Sequence, residues 1–150
     1  MGGIRAYRKT DAQQCCSIIL ACLPQIDGLN EAARSFLEAK LVPDRLHPEM
    51  ASMEAYVYEE DGAVLGMAAL DGIEAKRLYV SPEAQGKGIG GRLYRHVEDL
   101  ARSRGLTVLT GDASPAAATF YEGLGFVAEG KSETLRGDAH FKTVRVFKRL

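Results

Sequence analysis

Three glycines at alternate positions, Gly86, Gly88 and Gly90, with Lys87 between the first two, form the feature of the sequence most suggestive of chemistry. They lie between a strand-like run ending at Val80 and an amphipathic run that opens near residue 90. Glycine lets the backbone approach a ligand closely, and the N–H groups and dipole at a helix start favour phosphate. A phosphorylated ligand is therefore expected on residues 85–91. The same letters satisfy G-x-G-x-x-G through Gly86, Gly88 and Gly91, with Asp112 at about the distance of a ribose-binding acid, so a dinucleotide is the alternative ligand. Two features oppose it: the five residues SPEAQ separate strand from glycine, and three antiparallel-looking strands precede the loop where β and α should alternate.

The elements that must position this loop follow from periodicity. Residues 4–8 read as a short strand. Thr10 and Asp11 offer a cap to a helix whose Cys15, Ile18, Ile19 and Cys22 follow helical spacing and which stops before Pro24. A second helical pattern fills residues 31–41, and Pro43 and Pro48 punctuate an expected loop around His47. From Ala55 the period becomes two: AYVYEE, AVLGMAAL and IEAKRLYV, separated by turns at Asp61-Gly62 and Asp71-Gly72, read as an antiparallel meander. The helix after the glycines buries Ile89, Leu93, Val97 and Leu100 and ends at Gly105. LTVLT is a strand, Ser114-Pro115 opens a helix reaching Leu124-Gly125, and FVAEG and HFKTVRVFKRL alternate like two more strands. The class is α/β or α+β, a mixed sheet covered by helices, and a length of 150 residues suits one domain.

Residues 85–90, QGKGIG, resemble the Q/R-x-x-G-x-G/A pyrophosphate loop of the GNAT (GCN5-related) N-acetyltransferase superfamily. Downstream, Ala117, Phe120-Tyr121 and Leu124-Gly125-Phe126 resemble that family's A-x-x-FY-x-x-x-GF segment. The two motifs stand in the right order, and the likeness is specific from about Leu78 to Phe126. It implies a mostly antiparallel GNAT-like sheet with helices on both faces, acetyl-CoA as cosubstrate, and direct transfer to a primary amine of a small molecule or peptide.

Acyl transfer from a thioester to an amine needs a neutral nucleophile, a stabilised oxyanion and a proton for the departing thiolate. The resemblance implies that the strand carrying Leu78, Tyr79 and Val80 splays from its neighbour, so that its backbone N–H groups meet the pantetheine and polarise the thioester. Gln85, Gly86, Lys87, Gly88, Ile89, Gly90 and Gly91 would hold the pyrophosphate. Tyr121 is where the family keeps a phenol near the sulfur, as general acid, and Glu74, eleven positions before Gln85, matches the strand glutamate that acts as base in histone-type members. Ser114 stands where the family most often has Asn; as a pantetheine contact it competes with its reading as a helix cap. His47 and His140 are further candidate proton carriers, and the acids Asp27, Glu31, Asp44 and Glu49 would suit a cationic acceptor. A non-catalytic acyl-CoA sensor would keep the glycine loop without needing Tyr121 or a base.

Nineteen basic and 20 acidic residues give a net charge of -1, so no global field favours nucleic acid or an anionic membrane. No apolar run reaches the length of a membrane span, and the first residues lack a secretory pattern, so a cytoplasmic protein is expected. Cys15, Cys16 and Cys22 have neither disulfide nor zinc spacing and read as buried thiols; no metal is expected. The family suggests a homodimer.

Overall fold

The computed structural model describes residues 2–150. Strand β1 (Gly3–Ala6) leads into helices α1 (Ala12–Cys22), α2 (Glu31–Lys40) and α3 (Pro43–Ala51). The meander β2 (Glu54–Glu60), β3 (Ala63–Asp71) and β4 (Glu74–Val80) follows, then α4 (Ile89–Ser103), β5 (Val108–Ala113), α5 (Pro115–Gly123) and the hairpin β6 (Val127–Arg136) and β7 (Ala139–Arg149). The strands form one sheet in the order β1-β2-β3-β4-β5-β7-β6. Among the described residues every neighbouring pair is antiparallel except β4 with β5.

Alternation along the strands splits the core between the two faces. Tyr58, Ala68 and Leu70 face α4 and α5, where Leu93, Val97 and Tyr121 are buried. Val57, Met67 and Ala69 face α1 and α3, against Ile19, Leu46 and Met50. Helices thus cover both faces of the sheet, as the resemblance implies. Local chemistry sets several boundaries: Asn30 accepts the Ala33 N–H at the start of α2, Ser114 accepts that of Ala117 at the start of α5, and Gly105 takes a φ of 76° just past α4.

Four sequence expectations change. The stretch around His47 is a helix, not a loop. Pro43 occupies the first turn of α3, where its missing N–H costs nothing, and burial of Leu46 and Met50 one turn apart offsets the cost of Pro48 inside it. Asp11 does not cap α1 directly; its carboxylate accepts the Arg8 N–H at 2.7 Å and two N–H groups of the Arg5 guanidinium at 2.9 Å each. Strand β6 runs on through KSETLR, whose polar letters hide it because, at the sheet edge, all ten of its residues are exposed. The dinucleotide alternative fails because β2, β3 and β4 before the glycine loop pair antiparallel and form no βαβ half.

Candidate active site

Strand β4 decides where a site can form. Along its β3 edge, Met67 pairs with Tyr79 and Ala69 with Lys76, so three steps of β4 oppose two of β3; inside this bulge Arg77 has a φ of 55°. Along its other edge β4 meets β5 only where Glu74 pairs with Thr110, and beyond that point the strands part. The parting opens a cleft of about 830 Å³, within the usual range of ligand sites. Leu78, Tyr79 and Val80 line one side of it, and Ser114 and Tyr121 the other.

The glycine loop closes one end. Gly86 and Gly88 have φ of 80° and 84°, and a Cβ on either would meet nothing within 4 Å, so it is the left-handed backbone that calls for glycine there. Gly88 caps α4 with no side-chain hydrogen bond, and no acid stands in the first turn, so the N–H groups and dipole of that end serve the cleft, which Ile89, Gly90 and Gly91 also line. This all-backbone donor set, beside an opened strand edge, fits a pyrophosphate with an attached amide-bearing arm. The Gln85 side chain folds inward, its Nε2 donating to Val80 O at 3.0 Å and Gln25 Oε1 at 2.9 Å, while the Cys22 thiol donates to the same Val80 O at 3.2 Å. Lys87 is exposed and lies outside the cleft wall.

At the other end, Glu74 is half-buried at the start of β4 and faces the cleft. Tyr121 is only 7% exposed, its ring edge-on to Phe126 at 5.1 Å and to Phe120 at 5.6 Å. Burial, helped by neighbouring Tyr79 and Glu74, pushes its phenol up to about 12. Glu49 of α3 reaches across to Arg77, accepting from Nε at 3.2 Å and from Nη2 at 2.6 Å. Ser114 both caps α5 and lines the cleft.

Other candidates lie elsewhere. His47 packs on Tyr7, its Nδ1 3.0 Å from the phenol oxygen, and His140 pairs with Glu133 at 3.1 Å; neither borders the cleft. Asp27 accepts the Ala116 N–H at 2.9 Å, and of the four acids named from the sequence Glu49 is the one in the cleft wall. Cys15, Cys16 and Cys22 are buried thiols, each raised chiefly by burial. Among the described residues no group of His, Cys, Asp and Glu could hold a metal ion, and no helix is long and apolar enough to cross a membrane. Arg77, the Tyr79 side chain, Gln25 and Phe120 are wall residues that the sequence did not single out: the bulge that places Arg77 leaves no signature in the letters, and Gln25 and Phe120 reach the wall from separate segments.

Residues 24–143 match the family described as acetyltransferase (GNAT) domain. The chain is 37% identical over 107 residues to peptidyl-lysine N-acetyltransferase YjaB of Salmonella typhimurium, covering 71% of this chain and 70% of that protein. It is similar to the crystal structure of a GCN5-related N-acetyltransferase from Rhodopseudomonas palustris, with a TM-score of 0.90, 26% identity, and coverage of 100% of this chain and 96% of the other. PaiA N-acetyltransferase from Thermoplasma acidophilum, solved in complex with coenzyme A, shares the fold at a TM-score of 0.78 and 17% identity, with 100% and 99% of the two chains covered.

Proposed function

Because the chain belongs to the GNAT family of acetyltransferases, with acetyl-CoA as cosubstrate, we propose that it acetylates a primary amine directly, and that this amine is a lysine side chain of a peptide. The observation that carries the transfer reading is the cleft between β4 and β5, with the glycine loop at one end and Glu74 and Tyr121 at the other. The peptidyl-lysine acceptor is supported by the likeness to YjaB.

Acetyl-CoA supplies the activated acyl thioester. The N–H groups of Gly86 and residues 88–91 would hold the pyrophosphate, and the opened backbone of residues 78–80 would align the arm and polarise the carbonyl. The Glu74 carboxylate takes a proton from the arriving ammonium, directly or through water, because a lysine of pKa about 10.4 is otherwise no nucleophile at neutral pH. The Tyr121 hydroxyl, protonated at any neutral pH, donates to the sulfur as negative charge develops there. The burial that keeps it protonated also makes it a weaker acid than a free phenol, so its contribution grows only as the thiolate forms.

Mass spectrometry of a lysine-containing peptide incubated with protein and acetyl-CoA, with parallel thiol release, tests this reading. One acetyl group per lysine and one thiol per acetyl are expected. Faster acetylation of cadaverine than of the peptide would overturn the peptide acceptor, and acetyl-CoA binding without transfer to either would favour the sensor.

A further inference from the structure

We propose that Arg77 is a positioning residue of the acceptor end, whose guanidinium holds the Glu49 carboxylate in the cleft wall beside the Tyr79 phenol. The inference rests on the acetyltransferase reading above.

Two non-glycine residues in the described chain have positive φ. Asp61, at 51°, sits in the Asp61-Gly62 turn, where a short polar side chain tolerates the left-handed region. Arg77, at 55°, sits in the middle of a strand, where a side chain pays about 1–2 kcal/mol that glycine would avoid. Strain of this kind persists where the surrounding structure uses the residue. The bulge itself would form at least as well around glycine, so what arginine adds is its side chain.

That side chain is engaged on two fronts. Its Nε and Nη2 grip the two carboxylate oxygens of Glu49 as a fork, a geometry that a lysine cannot copy. Its positive charge also stands beside the Tyr79 phenol and counteracts the burial that drives this phenol upward. Glu49, Arg77 and Tyr79 all line the cleft, and Tyr79 is close enough to Tyr121 for the two phenols to sense each other. The groups facing Tyr79 are therefore Arg77 of its own strand, Cys22 of α1, Glu49 of α3 and Tyr121 of α5. Through Arg77, α3 is tied to the point of transfer, and the acceptor meets a wall whose shape depends on one bridging cation.

Arg77→Gly separates a positioning role from a structural one, because it removes the guanidinium and relieves the backbone at once. The expected result is a melting temperature at or above wild type, unchanged acetyl-CoA affinity, and turnover on the lysine peptide lower by about tenfold or more, as for a displaced positioning group. Arg77→Lys should recover only part of the loss. Glu49→Gln should lower turnover in the same direction, and the double variant less than the product of the two. Wild-type turnover in Arg77→Gly, or a loss that merely tracks a falling melting temperature, would overturn the proposal. A second readout needs no acceptor: in a spectrophotometric titration of tyrosinate, with Tyr79→Phe as the subtraction, the Tyr79 phenol should ionise at higher pH in Arg77→Gly than in wild type. Identical curves would overturn the proposal even if the peptide is acetylated, whereas a shifted curve with no acetylated peptide would sink the lysine assignment alone.

Discussion

In the proposed assignment the cofactor end of the cleft draws on the backbone of one short segment, Gln85, Gly86 and residues 88–91, whereas the acceptor end takes Glu49, Glu74, Arg77, Tyr79 and Tyr121 from α3, β4 and α5. The first end needs only glycine's φ and a helix start. The second needs a bulge, a splayed strand pair and a helix packed from the far side of the sheet. Phosphate recognition can be written locally because its donors are main-chain groups. Proton transfer cannot, because it asks side chains from distant segments to meet at one atom.

If the two ends divide the labour in this way, substitutions should separate them. Tyr121→Phe, which removes one oxygen from the acceptor end, should lower kcat by about 10²- to 10⁴-fold. Since burial holds that phenol up to about 12, wild-type turnover should show no alkaline fall from Tyr121 in a pH–rate profile below that value. A fall near pH 10, absent from Tyr121→Phe, would contradict its environment. Gly88→Val forces a β-branched residue into a φ of 84°, and initial rates should show kcat/KM for acetyl-CoA lower by on the order of 100-fold, with little change in KM for the peptide.

Glu74→Gln should cost about tenfold at neutral pH and progressively less toward pH 10, because the lysine loses its proton to solvent as its own pKa of about 10.4 is approached. A defect that stays constant with pH would remove Glu74 from the base role. Ser114→Ala is the mildest: loss of the cap on α5 should lower stability by about 1 kcal/mol in urea denaturation. Unchanged acetyl-CoA affinity in that variant would identify the serine as a cap, and weakened affinity as a ligand contact as well.

The contrast between the ends also explains what was legible in the letters. Alternation marked the meander, and a helical stripe of Ile89, Leu93 and Val97 marked α4, because each pattern records burial by neighbours within the same element. Gly86 and Gly88 were legible since few residues other than glycine hold such backbone angles. Helix α3 was not, because Pro48 signals a break that only the tertiary burial of Leu46 and Met50 overrides. Strand β6 was obscured by its polar sequence, and the Glu49–Arg77 pair spans 28 positions, a separation that no spacing rule links. In the letters Glu49 is one of four scattered acids, and only the packing of α3 singles it out by bringing it to β4.

Under the proposed function, cofactor binding and transfer chemistry divide between two ends of one cleft, and this division is testable. Its most direct test is calorimetric titration of acetyl-CoA into two variants, Gly88→Val and Tyr121→Phe, beside the wild type. Wild-type affinity is expected in Tyr121→Phe, and a loss on the order of 100-fold in Gly88→Val. Equal losses in both, or none in Gly88→Val, would contradict that division.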